Sequence, residues 1–158
     1  MVLEIVDYNK TFETNVESML KEQWNVSFCH NSNIIGKVAV YNKQFAGVCF
    51  GYEQKDYFYL DSLCVSKNYW NKGIGTQLLS NLIQMIKNDF NRVKAYLLDN
   101  DGLGSNIPKS KSIFEKCGFK FVKIIPNFFA KENNFDYCPD CKHKPCICAA
   151  WEYELKLN

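Results

Sequence analysis

Four cysteines crowd into eleven residues near the end of the chain: Cys138, Cys141, Cys146 and Cys148. The pattern is Cys-x-x-Cys, four residues, then Cys-x-Cys. One tight turn lets the first pair of thiolates converge, and four thiolates complete a tetrahedral shell around zinc. Pro139 and Pro145 stiffen the segment. Lys142, His143 and Lys144 offset thiolate charge, and His143 is an alternative ligand. A shell of four protein ligands leaves no open position, so such an ion would be structural. A redox Cys-x-x-Cys, an iron–sulfur centre and unliganded thiols remain as rivals. Cys29, Cys49, Cys64 and Cys117 have apolar neighbours and read as small hydrophobes.

A second cluster carries no reactive side chain. From Leu60 to Leu79 an apolar strand runs into a loop with Gly73 and Gly75, and an amphipathic helix starts at once. The first N–H groups of a helix lack intrahelical partners, and the helix dipole favours anions there. Glycine lets the backbone turn and lets a phosphate approach, so the loop suits a pyrophosphate. Packing alone could also explain a Gly-x-Gly turn. No Gly-x-x-x-x-Gly-Lys-Ser/Thr is present. Leu78 stands where the third glycine of a dinucleotide-binding turn would be.

The elements that must position these groups are legible as periodicity. Val2 to Tyr8 reads as a strand and Thr11 to Trp24 as a helix, with Asn9 or Thr11 as its cap. Asn31-Ser32-Asn33 reads as a loop. Ile34 to Tyr41 and Phe45 to Tyr52 read as a hairpin joined by Asn42-Lys43-Gln44, and Tyr57 to Val65 as a central strand. Ile74 to Phe90 carries a wide apolar stripe and is the clearest helix. Val93 to Leu98 is a strand, Asp99 to Asn106 a loop, and Pro108 to Lys116 a short helix capped by Gly118. Phe119 to Ile125 and Ala150 to Leu157 are the last strands. The order predicts an α/β domain around a mixed sheet.

The segment Trp70-Asn71-Lys72-Gly73-Ile74-Gly75 resembles the coenzyme A signature of the GNAT N-acetyltransferase superfamily, Gln/Arg-x-x-Gly-x-Gly/Ala, with Trp70 in place of the leading Gln/Arg. Ser110 to Phe119 resembles that superfamily's second motif, with Phe114 where its tyrosine stands. The resemblance implies a GNAT-like fold with a mixed, mostly antiparallel sheet flanked by helices. It implies acetyl-CoA as cosubstrate, with backbone amides of Asn71, Lys72, Gly73, Ile74, Gly75 and Thr76 on the pyrophosphate. Leu63, Cys64 and Val65 would hold the pantetheine arm through their backbone, and Asn106 would add a hydrogen bond. The reaction implied is direct attack of a primary amine on the thioester. Asp61 and Glu53 are the candidate bases. Phe114 cannot protonate the departing thiolate, so water or another residue would serve. Alternatively the chain only binds acetyl-CoA, as a sensor or interaction module. Many relatives dimerise, so a homodimer is compatible.

Bulk properties set the remaining expectations. The chain has 158 residues and 47% hydrophobic content, which suits one domain over 1–158 with a Cys-rich insertion at 127–148. A net charge of +2, from 19 basic and 17 acidic residues, gives no support for nucleic-acid binding. No apolar run is long enough to span a bilayer. Residues 1–7 lack the basic start and long apolar core of a secretory leader, so a cytoplasmic location is expected.

Overall fold

A computed structural model describes residues 2–25, 33–101, 103–129 and 138–157. Cys29, the loop residues Asn31 and Ser32, Gly102 and residues 130–137 of the insertion lie outside that set. The elements follow in the order β1 (Leu3–Asp7), α1 (Glu13–Trp24), β2 (Ile34–Tyr41), β3 (Gln44–Glu53), β4 (Phe58–Val65), α2 (Ile74–Ile86), β5 (Arg92–Asp99), α3 (Lys111–Lys116), β6 (Lys120–Ile125) and β7 (Ala149–Lys156). They form a seven-stranded sheet with order β1-β2-β3-β4-β5-β7-β6. Every pairing is antiparallel except β4 with β5.

Local chemistry accounts for the boundaries. Asn9 accepts from the Thr11 N–H at 2.9 Å and caps a single 3-10 turn, so α1 begins two residues later than its periodicity suggests. Asn42 and Lys43 have φ of 48° and 65°. Those two residues alone make the hairpin turn, and Gln44 already pairs with Tyr41. The stripe of α2 extends to Phe90, but the helix ends at Ile86. Phe90 leaves the helix and packs its ring on Phe58 at 5.3 Å, which satisfies the same apolar pattern. Pro108 to Ser110 form a turn before α3.

Each face of the sheet buries one long helix. Ile74, Leu78, Leu79, Leu82 and Ile86 of α2 pack with Phe58, Leu60, Val93, Ala95, Leu97 and Tyr153. Val16, Met19 and Leu20 of α1 pack with Val38, Val48, Phe50 and Cys64. The faces exchange within β4. Phe50 pairs with Ser62 but Gly51 pairs with Leu60, so Asp61 is an extra residue, a β-bulge. Before it, Phe58 and Leu60 face α2. After it, Leu63 and Val65 face α2 and Cys64 turns to α1. A Cβ on Gly51 would lie 2.1 Å from the Tyr59 carbonyl oxygen, so the bulge requires glycine opposite it.

Candidate functional site

The bulge opens the sheet. The parallel strands pair only through Phe58–Leu60 and Val93–Ala95, yet β4 continues to Val65 and β5 to Asp99. Beyond Leu60 they diverge. Ser66 donates its N–H to Ala46 of β3 at 2.9 Å. Antiparallel pairs alternate between bonded and non-bonded, so Cys64 shares its backbone bonds with Val48. Leu63 points its N–H and C=O groups and Val65 its N–H into the gap, while the Val65 carbonyl is taken by Trp70 and Gln23. The gap is therefore lined by main-chain polar groups of Leu63 and Val65, while those of Cys64 belong to the ladder. Cys64 contributes its side chain to the α1 core instead, and donates to Gln23 Oε1 at 2.9 Å.

The glycine loop closes one end of the gap. Residues 67–69 make a 3-10 turn, and Asn71 and Gly73 follow with φ of 61° and 74°. Gly73 is the N-cap of α2, and no side chain caps that end. A Cβ on Gly73 would meet nothing within 4 Å, so the helix N-terminus opens onto free space. Gly75 also serves packing. A Cβ there would lie 3.1 Å from Ile113 Cδ1, so the glycine lets α3 approach α2. Trp70 donates its indole N–H to the Val65 carbonyl at 2.7 Å, and Gln23 Nε2 donates to the same oxygen at 3.1 Å. The first position of the motif thus ties the loop to the end of β4, through an indole where the pattern has Gln or Arg.

Asp61 stands at the point of divergence, on the face away from α2. Crowding by protein raises its carboxyl above the ordinary value, and a 2.8 Å hydrogen bond from the Ser62 hydroxyl partly opposes this. Glu53 is not brought to the gap. It pairs with Phe58 at the opposite end of β4, about 23 Å along the strand from Val65, beside Asp56, Asp89 and Arg92. Asn106 sits across the gap, after β5. Its N–H donates to the buried Asp99 carboxylate at 2.9 Å and its side chain donates to Asn100 at 2.9 Å. Asp99 also accepts from the Asp101 N–H and the Trp151 indole, which fixes this loop. Phe114 is buried, with its ring 5.1 Å from that of Phe119.

A model of the acetyltransferase (GNAT) family matches residues 3–119. The chain belongs to that family. As a GNAT domain it is 36% identical over 69 residues to an N-alpha-acetyltransferase of Saccharolobus solfataricus, a stretch covering 44% of this chain and only 39% of that relative. Its GNAT fold is shared with the ribosomal-protein-S18-alanine N-acetyltransferase from Escherichia coli at a TM-score of 0.75 and 15% identity, over 99% of this chain and 95% of the other. An aminoglycoside 6'-N-acetyltransferase complexed with coenzyme A superimposes at 0.74 and 15% identity, over 100% and 98%.

The GNAT family match ends at Phe119, before the cysteines. Their sulfurs converge: all four Sγ atoms lie within 4.8 Å of one another. Cys138 and Cys148 sulfurs are 3.7 Å apart, and those of Cys141 and Cys146 3.9 Å. A tetrahedron with metal–sulfur bonds of about 2.3 Å has edges of about 3.8 Å. A disulfide needs about 2.05 Å. The donor set therefore fits a tetrahedral thiophilic ion. Lys142, at φ 59°, donates to the Cys138 carbonyl at 2.9 Å and closes the Cys-x-x-Cys turn. Burial alone would raise the Cys141 thiol, but N–H groups of Ile147 and His143 and the neighbouring thiols bring it down to about 6. His143 Nδ1 lies 2.6 Å from the Cys141 carbonyl oxygen and outside the sulfur set.

Sequence reasoning missed several groups at the gap. Tyr59 and Tyr96 lie on the Asp61 face with ring centroids 5.9 Å apart, and Phe128 stacks on Tyr96 at 4.6 Å. Glu152 is buried between Lys94, at 3.3 Å, and Lys123, at 3.7 Å. Strict alternation along Lys94, Tyr96 and Leu98 was the available signal. Nothing in the sequence reveals that Phe128 folds back onto it.

Proposed function

We propose that this protein transfers the acetyl group of acetyl-CoA to a primary amine, with peptide α-amines as the first acceptors to test. The observation that carries the reading is the divergence of β4 from β5 at Asp61, with the uncapped N-terminus of α2 opening on one end of it. Backbone amides from Asn71 to Thr76 hold the pyrophosphate, with their partial positive charge supplied by the helix end. Main-chain groups of Leu63 and Val65 align the pantetheine arm, and Asn106 flanks it across the gap.

Asp61 removes a proton from the ammonium, directly or through a water, and the freed nitrogen attacks the thioester carbon. The Leu63 N–H receives the developing oxyanion. Collapse of the tetrahedral adduct breaks the carbon–sulfur bond and releases coenzyme A. Phe114 has no proton to give, so the second ammonium proton, made acidic once the nitrogen has attacked, passes through water to the departing thiolate. The N-alpha-acetyltransferase relative favours a peptide terminus, whereas the aminoglycoside enzyme shares the fold alone. The four thiolates would hold one structural zinc ion within the insertion at 127–148 of a single domain.

Calorimetric titration with acetyl-CoA, for wild type and Gly73→Asp, tests the cofactor site. Mass spectrometry of a peptide panel then tests transfer. Binding lost in the variant together with multiple turnover supports the reading. Binding without turnover leaves an acetyl-CoA sensor. Absence of binding removes both. Elemental analysis should find one zinc per chain.

A further inference from the structure

The thiolate cluster sits beside the part of the gap that the acceptor must use. The pyrophosphate end belongs to the α2 face, so an amine reaches the thioester from the other face, where Asp61, Tyr59 and Tyr96 lie. Cys148 leads directly into β7, where Ala149 pairs with Asp99 and Ala150 with Leu98. Cys138, Cys146 and Cys148 are buried against Leu98 and Phe129. The Phe129 N–H donates to the Cys148 carbonyl at 3.4 Å. Phe128 meets Phe129 edge-on at 5.1 Å and stacks on Tyr96. A continuous chain of contacts therefore runs from the sulfurs through Phe129, Phe128 and Tyr96 to Tyr59, two residues before the bulge.

We propose that the metal-bound cluster holds Phe128 against Tyr96, so that Tyr59, Tyr96 and Phe128 form an aromatic wall beside Asp61 that selects acceptor amines with an aromatic group next to the nitrogen. The inference rests on the reading of this gap as an acetyl-transfer site. Tyr59, Tyr96 and Phe128 are each partly exposed, so the aromatic run borders the surface beside Asp61. Offset aromatic contacts add to the burial of apolar surface. Glu152 is already compensated by Lys94 and Lys123, which among the described residues leaves Asp61 as the carboxylate beside the aromatic run.

Phenylalaninamide and glycinamide are the probes, because both present an α-amine and differ in the ring. The ratio of their kcat/KM values should favour phenylalaninamide in the wild type. It should fall about tenfold in Phe128→Ala and in Cys141→Ser, with the affinity for acetyl-CoA within twofold of wild type. Zinc content should stay at one per chain in Phe128→Ala and drop in Cys141→Ser. An unchanged ratio in Phe128→Ala would overturn the wall, and an unchanged ratio in zinc-free Cys141→Ser would overturn the role of the metal. Calorimetry of phenylalaninamide against the coenzyme A complex separates this inference from the catalytic reading. Binding that Phe128→Ala abolishes, without turnover of either amine, keeps the wall and discards acetyl transfer. Turnover of both amines at equal rates does the reverse.

Discussion

The two ends of the gap are built from different materials. At the proposed cofactor end the groups are main-chain: the open N-terminus of α2, and the Leu63 N–H and C=O and the Val65 N–H left unpaired with β5 beyond the bulge. At the proposed acceptor end they are side chains, namely Asp61, the aromatic run and the sulfurs proposed to hold it. A main-chain site tolerates replacement of most residues around it, because any residue carries an N–H. A side-chain site does not. The contrast explains how Trp70 can stand in the first position of the signature, while nothing in the family pattern extends over the cysteines.

The largest effect should fall at the sulfur end. Cys148 is fully buried, and Cys148→Ser removes one of the four converging sulfurs. If zinc is bound at about a thousand times its Kd, loss of the ion costs about 4 kcal/mol, or roughly 10 °C in Tm. Thermal melts with zinc analysis check this, and an unshifted Tm would make the cluster ornamental to stability.

Asp61→Asn comes next, with an expected fall in kcat of about a hundredfold. Its pH behaviour sharpens the contrast. A base must be ionised, and the Asp61 carboxyl is raised by crowding. The acid limb of kcat/KM should therefore lie above the ordinary aspartate value of about 3.9. The linkage sign is the reverse of the usual aspartate. A raised folded value means that the folded state holds the proton more tightly, so the stabilising contribution is complete below the unfolded value and is lost as pH rises through the folded one. At neutral pH Asp61→Asn should leave Tm unchanged or higher while activity falls.

Gly73→Asp should weaken acetyl-CoA by roughly thirtyfold, about 2 kcal/mol, through lost charge-assisted hydrogen bonds and added like charge. Trp70→Phe should have the smallest effect. It deletes the 2.7 Å bond to the Val65 carbonyl, worth about 1 kcal/mol, and should weaken acetyl-CoA about fivefold without altering the amine ratio. A change in acceptor preference here would couple the two ends and erase the contrast between them.

The same division decided what could be read in advance. The glycine loop, the order of strands and helices and the mixed sheet follow from local spacing, and the structure has them within a few residues. The cysteine cluster was legible because four thiols fit within eleven residues. Asp61 could be named from its strand but not as a bulge, since a bulge is a relation between two strands. Gly51 was its one trace in the sequence. Glu53 was put on the same strand system, but register places it at the far end. Gly75 read as part of a phosphate turn, and the close approach of α3 is a second reason for a glycine there that only the tertiary fold reveals. The stacking of Phe128 on Tyr96 joins positions 32 residues apart, and no periodicity spans that.

The strand order has a consequence for synthesis on the ribosome. β6 is made before β7, yet β7 lies between it and β5. Among the described residues β6 has no other strand to pair with, so it leaves the exit tunnel as an orphan. Its partner follows only after all four cysteines have emerged. Ion capture by those thiolates would gather the nascent chain against Leu98 just as Ala149 arrives to zip between its two neighbours. Metal supply would then act as a checkpoint on the final step of translation-coupled folding.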